Sequence, residues 1–217
     1  MKTFIAAVLI GAAATSAQAQ APAAVMDRAV KRYTDMSSMS ADFRQTITNP
    51  LTGTTSVSRG VLLRKDPNLL SITFSDPKGD RVVSDGSALW VYLPSSAPGQ
   101  VIRMSAQEGG SMGMIDPGGL FLSAPSSRYT ISGGETETVG GRKTTLVNLV
   151  PKRSNNAFSR AKVWIDAADY SIRQFEVVDA NGLTRRVAIR NVKSNVTIPA
   201  SSFRFVAPKG VRVIEGQ

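Results

Sequence analysis

The sequence contains neither cysteine nor histidine. Without cysteine there are no disulfides, thiolate nucleophiles or cysteine-ligated metals, and stability has to come from burial and strand pairing. Without histidine, Ser-His-Asp catalysis, histidine metal sites and histidine pH switching are excluded. Aromatic residues make up only 6% of the chain. Long apolar runs are also scarce: the longest, Phe4 to Ala14, falls short of the roughly 20 residues that span a bilayer. It follows Met1-Lys2-Thr3 and leads into Ala17-Gln18-Ala19, the three-part pattern of a secretory signal peptide. Residues 1–19 are therefore read as a signal cleaved after Ala19, and residues 20–217 as a single exported, soluble domain. No cysteine follows the cleavage site to carry a lipid.

The formal charge is +10, falling to +9 once Lys2 leaves with the signal. The basic residues are scattered, and the densest clusters are Arg64-Lys65, Lys152-Arg153 and Arg185-Arg186. This pattern fits a solvated surface biased toward anionic membranes or partners, and not a nucleic-acid tract.

Val25, Ala29, Tyr33 and Met36 fall on one helical face beside Met26 and Val30, while Asp27, Arg28, Lys31, Arg32 and Asp35 take the other. One amphipathic helix is expected there. After Ser37 the period changes to two. In Leu70-Ser71-Ile72-Thr73-Phe74-Ser75 the apolar residues share one face of a half-buried strand. Similar segments run over 41–48, 56–64, 81–84, 88–93, 101–105, 128–132, 143–150, 160–166, 172–178, 184–192 and 203–206. Turn chemistry separates many of them, as at Asp85-Gly86, Gly140-Gly141 and Asn181-Gly182. About ten short strands in hairpin succession, with no alternating helices, predict a mainly β fold built as a curled antiparallel meander. Alternation points Leu70, Ile72, Phe74, Val187, Ile189, Phe203 and Phe205 inward, either as plain core or as the lining of a cavity. Trp90 and Tyr92 share one strand face and either line that cavity or anchor the sheet. Arg44 and Gln45 read as solvent-facing or sheet-stabilising.

The stretch from Gln107 to Ser123 breaks the rhythm, pairing glycines with Met112, Met114, Ile115, Leu120, Phe121 and Leu122. Such residues need a cover, so the segment is either a mobile lid over an apolar surface or a buried connection. Neither a catalytic constellation nor a nucleotide site emerges. Asp76, Asp80 and Asp85 offer the paired carboxylates of a glycosidase but lie in turn signals, and Gly109-Gly110-Ser111-Met112-Gly113 lacks the lysine of a phosphate cradle. No enzyme activity, metal or cofactor is expected.

Several ordered motifs carry a resemblance: Phe43-Arg44-Gln45, Gly60-Val61-Leu62-Leu63, Pro67-Asn68-Leu69-Leu70, Val83-Ser84-Asp85-Gly86, Leu89-Trp90-Val91-Tyr92, Gln100-Val101, Phe203-Arg204-Phe205 and Pro208-Lys209-Gly210-Val211. In order and spacing they resemble the outer-membrane lipoprotein carrier family, LolA, over nearly the whole exported chain. The resemblance implies an incomplete antiparallel β-barrel with a helical lid over its concave apolar face, acting as a monomer in the periplasm. It also implies a chaperone that binds the acyl chains of lipoproteins, loads them from a LolCDE-like inner-membrane transporter and passes them to a LolB-like outer-membrane receptor. The expected lipid-binding residues are Phe43, Leu62, Leu70, Ile72, Phe74, Trp90, Tyr92, Met112, Met114, Phe121, Leu122, Val187 and Ile189. A LolA-like envelope lipid sensor, or another lipid-binding module, is the alternative. The family pattern has an arginine just before Pro-Asn-Leu that helps hold the lid; here Lys65-Asp66 stands there with one residue inserted.

If the Ala17-Gln18-Ala19 site is used, the exported chain begins at Gln20. N-terminal sequencing of protein recovered from the producing cell checks this, and retention of Met1 would remove the case for export.

Overall fold

The computed structural model describes residues 20–105, 115–153 and 158–216. The expected signal peptide lies outside the described residues. Helix α1 (Pro22–Thr34) starts with proline in its first turn, where no N–H is needed, and ends with Lys31 and Arg32 against the negative end of the helix dipole. Val25, Met26, Ala29 and Tyr33 are buried, as the helical periodicity predicts.

Twelve strands follow: β1 (Ser38–Asn49), β2 (Thr54–Lys65), β3 (Leu69–Asp76), β4 (Arg81–Asp85), β5 (Ala88–Tyr92), β6 (Gln100–Ser105), β7 (Tyr129–Val139), β8 (Arg142–Pro151), β9 (Arg160–Asp166), β10 (Ile172–Val178), β11 (Thr184–Ser194) and β12 (Arg212–Glu215). Two short helices, α2 (Pro117–Phe121) and α3 (Pro125–Arg128), lie between β6 and β7. All strands join one unclosed sheet in the order β12-β6-β5-β4-β3-β2-β1-β11-β10-β9-β8-β7. Two antiparallel meanders thus meet where β1 pairs with β11. The order places β6 and β7 near opposite ends of the sheet, and α2 and α3 lie between them in the chain.

Cross-strand register assembles the apolar face. Leu62 lies opposite Ile72, Ile72 opposite Val82, Val82 opposite Val91, and Val91 opposite Ile102. In the other half Phe43 faces Ile189, and the row Val187, Phe175, Val163, Val147 runs across β11 to β8. These side chains, with those of α1 and α2, form one core cluster. Gly60 lets the sheet close tightly at this face, because a Cβ there would meet the Thr73 carbonyl and the Phe43 ring. Above it Phe43 and Phe74 pack edge to face, 5.3 Å between ring centres.

Two expectations fail at the C-terminus. The strand expected over 203–206 is not formed: Ala200–Phe203 makes a 3-10 turn, and residues 204–208 belong to no strand. The alternation of Phe203 and Phe205 suggested a strand, but Pro199 and Pro208 bracket the segment and lack the N–H that a ladder requires. The closing strand is β12, which runs parallel to β6 and is the exception to the antiparallel pattern.

On the outer face Asp166, only 1% exposed at its side chain, accepts hydrogen bonds from Arg142 Nε and Arg173 Nε, both at 2.8 Å, and from the Ala168 N–H. The clip ties β8, β9 and β10 together. Burial alone would raise the Asp166 pKa, but the Arg142, Ala168 and Arg173 hydrogen bonds and the Arg173 charge outweigh it and hold the carboxyl well below its ordinary value. A carboxyl depressed in the folded state contributes stability above its unfolded pKa of about 4 and loses it as pH falls toward the folded value. Asp166→Asn should therefore cost roughly 3 kcal/mol at pH 7, and its deficit against the unmodified protein should shrink below pH 4. Urea unfolding at pH 7 and pH 3 measures this; a deficit equal at both pH values would show that charge is not its source.

Candidate functional site

The concave apolar face and its helical roof form the candidate site. Most of the residues expected there from the sequence come together on it. Phe43, Leu62, Ile72, Val187 and Ile189 are buried on this face, Leu70 and Phe74 are partly buried against the same cluster, and Phe121 and Leu122 are buried in the roof. Met112 and Met114 lie outside the described residues. Trp90 and Tyr92 are a correction. Trp90 lies opposite Val83 and Arg103, one residue out of phase with the Val82–Val91–Ile102 row, so both side chains point to the outer face. There Trp90 stacks on Phe205 at 5.5 Å, Tyr92 packs on the same ring at 5.7 Å, and the Arg103 guanidinium lies over Trp90. Because a strand sends alternate residues to opposite faces, Leu89 and Val91 take the inner positions that the larger rings suggested.

The roof consists of α1, α2 and α3. Phe121 fastens α2 to the sheet by edge-to-face contacts with Phe175 at 5.3 Å and Phe158 at 5.6 Å. Tyr129 Oη, at the start of β7, donates to the Leu120 carbonyl at 2.9 Å. Gly118 packs so closely on α1 that a Cβ would overlap the Tyr33 ring. Asp116 caps α2 by accepting the Gly118 N–H at 3.2 Å, and it also accepts from the Tyr33 hydroxyl. Burial, and then the Asp116 charge, push the Tyr33 pKa well above its ordinary value, so this hydroxyl keeps its proton.

Alpha-helix α1 is tied down at both flanks. On one side Arg28 Nη1 donates to Tyr170 Oη at 2.5 Å in the turn between β9 and β10. On the other, Arg64 of β2 donates through Nη2 to the Met36 carbonyl and to the Tyr33 carbonyl at 3.2 Å, and through Nη1 to Asp66 at 2.9 Å. Its guanidinium also lies 4.1 Å from the centre of the Tyr33 ring. Lys65-Asp66 stands where the family arginine is expected, but Arg64 makes contacts that hold the roof. The signal for it was in the sequence, since Arg64 shares strand parity with the inward Leu62. Phe175, Phe158 and Tyr129 were also not singled out.

With these contacts in place α1 lies close on the sheet. The cleft between α1 and the sheet, lined by Tyr33, Met36, Met39, Pro117, Ile172, Ile189 and Val192, holds only about 20 Å³, room for roughly one water. This cleft admits an acyl chain only if α1 or Pro117 moves. The three aspartates considered as an enzyme site have structural tasks. Asp80 is buried and accepts from Ser95 N–H and Oγ, Asp76 pairs with Arg59, and Asp85 accepts the Ser87 and Ala88 N–H groups. Burial opposes ionisation of Asp85, yet the hydrogen bonds from Ala88, Ser87 and Trp90 lower its pKa to about 2. Among the described residues no group of acidic side chains is arranged to hold a metal ion.

Comparison with known proteins points the same way as this geometry. The chain is 27% identical over 205 residues to an outer-membrane lipoprotein carrier protein of Chromobacterium violaceum, covering 94% of this chain and 93% of that one. It is 29% identical over 175 residues to the protein of that description from Haemophilus influenzae, covering 81% and 79%. A solved structure of an uncharacterized conserved protein from Thermus thermophilus shares the fold, with a TM-score of 0.53 at 12% identity over 89% of this chain and 98% of that one. The family model described as outer membrane lipoprotein carrier protein LolA matches residues 34–206, and this chain belongs to that family.

Proposed function

We propose that this protein is a periplasmic chaperone that takes up the acyl chains of lipoproteins on its concave sheet face, beneath α1 and α2. In this reading it receives cargo from a LolCDE-like transporter, gives it to a LolB-like receptor, and does so as one carrier domain. The observation that carries the reading is the contrast between sheet and roof. The apolar face belongs to a continuous hydrogen-bonded sheet, whereas the roof is three separate helices held to it by apolar packing and by side-chain contacts such as Tyr33 to Asp116, Arg64 to two carbonyls, Arg28 to Tyr170 and Phe121 to Phe175. Helices this short have little stability of their own, so they dock or lift as their contacts dictate.

The magnitudes favour a carrier over a permanent binder. Each methylene buried contributes about 0.8 kcal/mol, so an empty pocket of that chemistry would hold several acyl chains too tightly for release. Here the space is already filled by Phe121, Leu120, Ile115 and Tyr33. Entry of a chain exchanges one set of apolar contacts for another, and the net affinity is set by the difference between closed and open roofs. No bond is made or broken, so the driving energy for loading comes from the transporter.

Tyr33→Phe removes the hydroxyl that reaches Asp116 and weakens the closed roof by about 1 kcal/mol. The variant should bind an acylated peptide about fivefold more tightly and pass it more slowly to acceptor membranes or receptor. Phe121→Ser should shift affinity and transfer in the same direction. Fluorescence binding and stopped-flow transfer on folded protein test both. Weaker binding with unchanged transfer would sink the competing roof, and no binding of acylated peptide by the unmodified protein would sink the carrier reading itself.

A further inference from the structure

Alternation along β11 places Arg185 on the same inner face as Val187 and Ile189, where the pattern calls for an apolar side chain. Its neighbours across the ladder are Ile47 of β1 and Val177 of β10. Arg185 Nη1 donates to Gln45 Oε1 at 2.7 Å, and Gln45 Nε2 in turn donates to Ser58 Oγ at 3.1 Å. Gln45 is itself only 6% exposed. The Arg185 Nε is buried without an acceptor, as are those of Arg32, Arg64 and Arg81, but among the described residues the Arg185 guanidinium also has no ion pair. The Asp179 carboxylate favours its charged form from near by, and among the described residues it accepts through Oδ1 from the Asn181 and Leu183 N–H groups without a direct hydrogen bond to Arg185. Burial lowers the Arg185 pKa, yet a guanidinium remains protonated at any physiological pH.

The contrast with the other inward arginine is informative. Arg64 has Asp66 and two backbone carbonyls, a set that accounts for its position. Arg185 is partly buried among Ile47 and Val177 with one neutral side-chain acceptor and the Asp179 charge near by but not in contact, an arrangement that a well-packed hydrophobic residue would usually improve on for stability. Gln45 holds one edge of the fork and leaves other donors uncommitted. The inner positions from Arg185 through Val187 to Ile189 span about 13 Å of strand, an apolar track with a cation at one end.

We propose that Arg185, positioned by Gln45, is a head-group subsite of the concave face that takes the anionic oxygens of a carboxylate or phosphate on an amphiphile whose hydrocarbon chain lies along Val187, Phe175 and Phe43. This rests on the reading that acyl chains occupy that face. The protein then binds free anionic amphiphiles as a ligand class of their own, with the chain under the roof and the charge at the Arg185 end.

The full exported chain is tested with cis-parinaric acid and its methyl ester, which share one chain and differ in charge. The unmodified protein should prefer the acid roughly tenfold, the effect of one charge-assisted contact. Arg185→Gln should lose that preference while keeping ester affinity within about twofold, and Arg185→Lys should keep part of it. Displacement of the bound acid by a fatty acid or by a lysophospholipid of equal chain length identifies carboxylate or phosphate as the preferred head group, and stronger displacement by either supports the subsite. Equal affinity for acid and ester in the unmodified protein overturns the proposal without recourse to a variant, as does a preference that survives Arg185→Gln. If the ester binds without preference, acyl binding stands and only the subsite falls; if neither probe binds, both fall.

Discussion

A sheet with one largely apolar face has to be covered, and in this protein that requirement organises everything else. Rows such as Leu62, Ile72, Val82 and Val91 expose a continuous hydrocarbon surface that water would not tolerate. A closed barrel would bury it by rolling the sheet on itself, but β7 and β12 remain unpaired edges, so helices must complete the interior. The topology supplies them economically. Helix α1 precedes the first strand, and α2, which follows β6 in the chain, packs Leu120 and Phe121 into the same core cluster.

The two sides of the sheet are stabilised in different ways. The outer face uses fixed charge pairs, with Asp166 clamped by Arg142 and Arg173, and Glu176 held by Arg186. The roof uses contacts that can be broken singly. Tyr33 takes part in several of them: its ring packs under Arg64 and against Gly118, and its hydroxyl donates to Asp116. Rigidity in the sheet and separable contacts in the roof are what a carrier needs, because the binding surface must persist while its cover comes and goes. The same division explains why the cleft under α1 is so small when the roof is down.

Charge on the apolar face is confined to particular places. Arg64 stands at the roof's edge, where carbonyls and Asp66 neutralise its cost, and Arg185 stands toward the end of β11 that Gln45 reaches. A surface otherwise made of aliphatic and aromatic side chains thus has polarity along its length, which would orient an amphiphile as well as bury it.

The sequence by itself determined the local structure. Period-two alternation from residue 41 onward, the helical stripe of Val25, Ala29 and Tyr33, and the turn residues between strands depend on neighbours within a few positions, and the elements they predict are present except the strand over 203–206. The apolar side chains of Phe43, Leu62, Ile72, Val187 and Ile189 were legible for the same reason. Which face a strand turns inward was not legible, because alternation defines two faces without saying which is covered. Trp90 and Tyr92 went to the outer face only because β5 pairs in the register that aligns Val91 with Val82, and Phe205 then came from the far end of the chain to cover them. The roof contacts depend likewise on groups distant in sequence, Tyr33 with Asp116, and Arg64 with the end of α1. The polar pair Gln45 and Arg185, 140 positions apart, meets because β1 and β11 join the two meanders. Local pattern made the strands, and only long-range pairing decided which side chains would face the cavity and what would hold its cover closed.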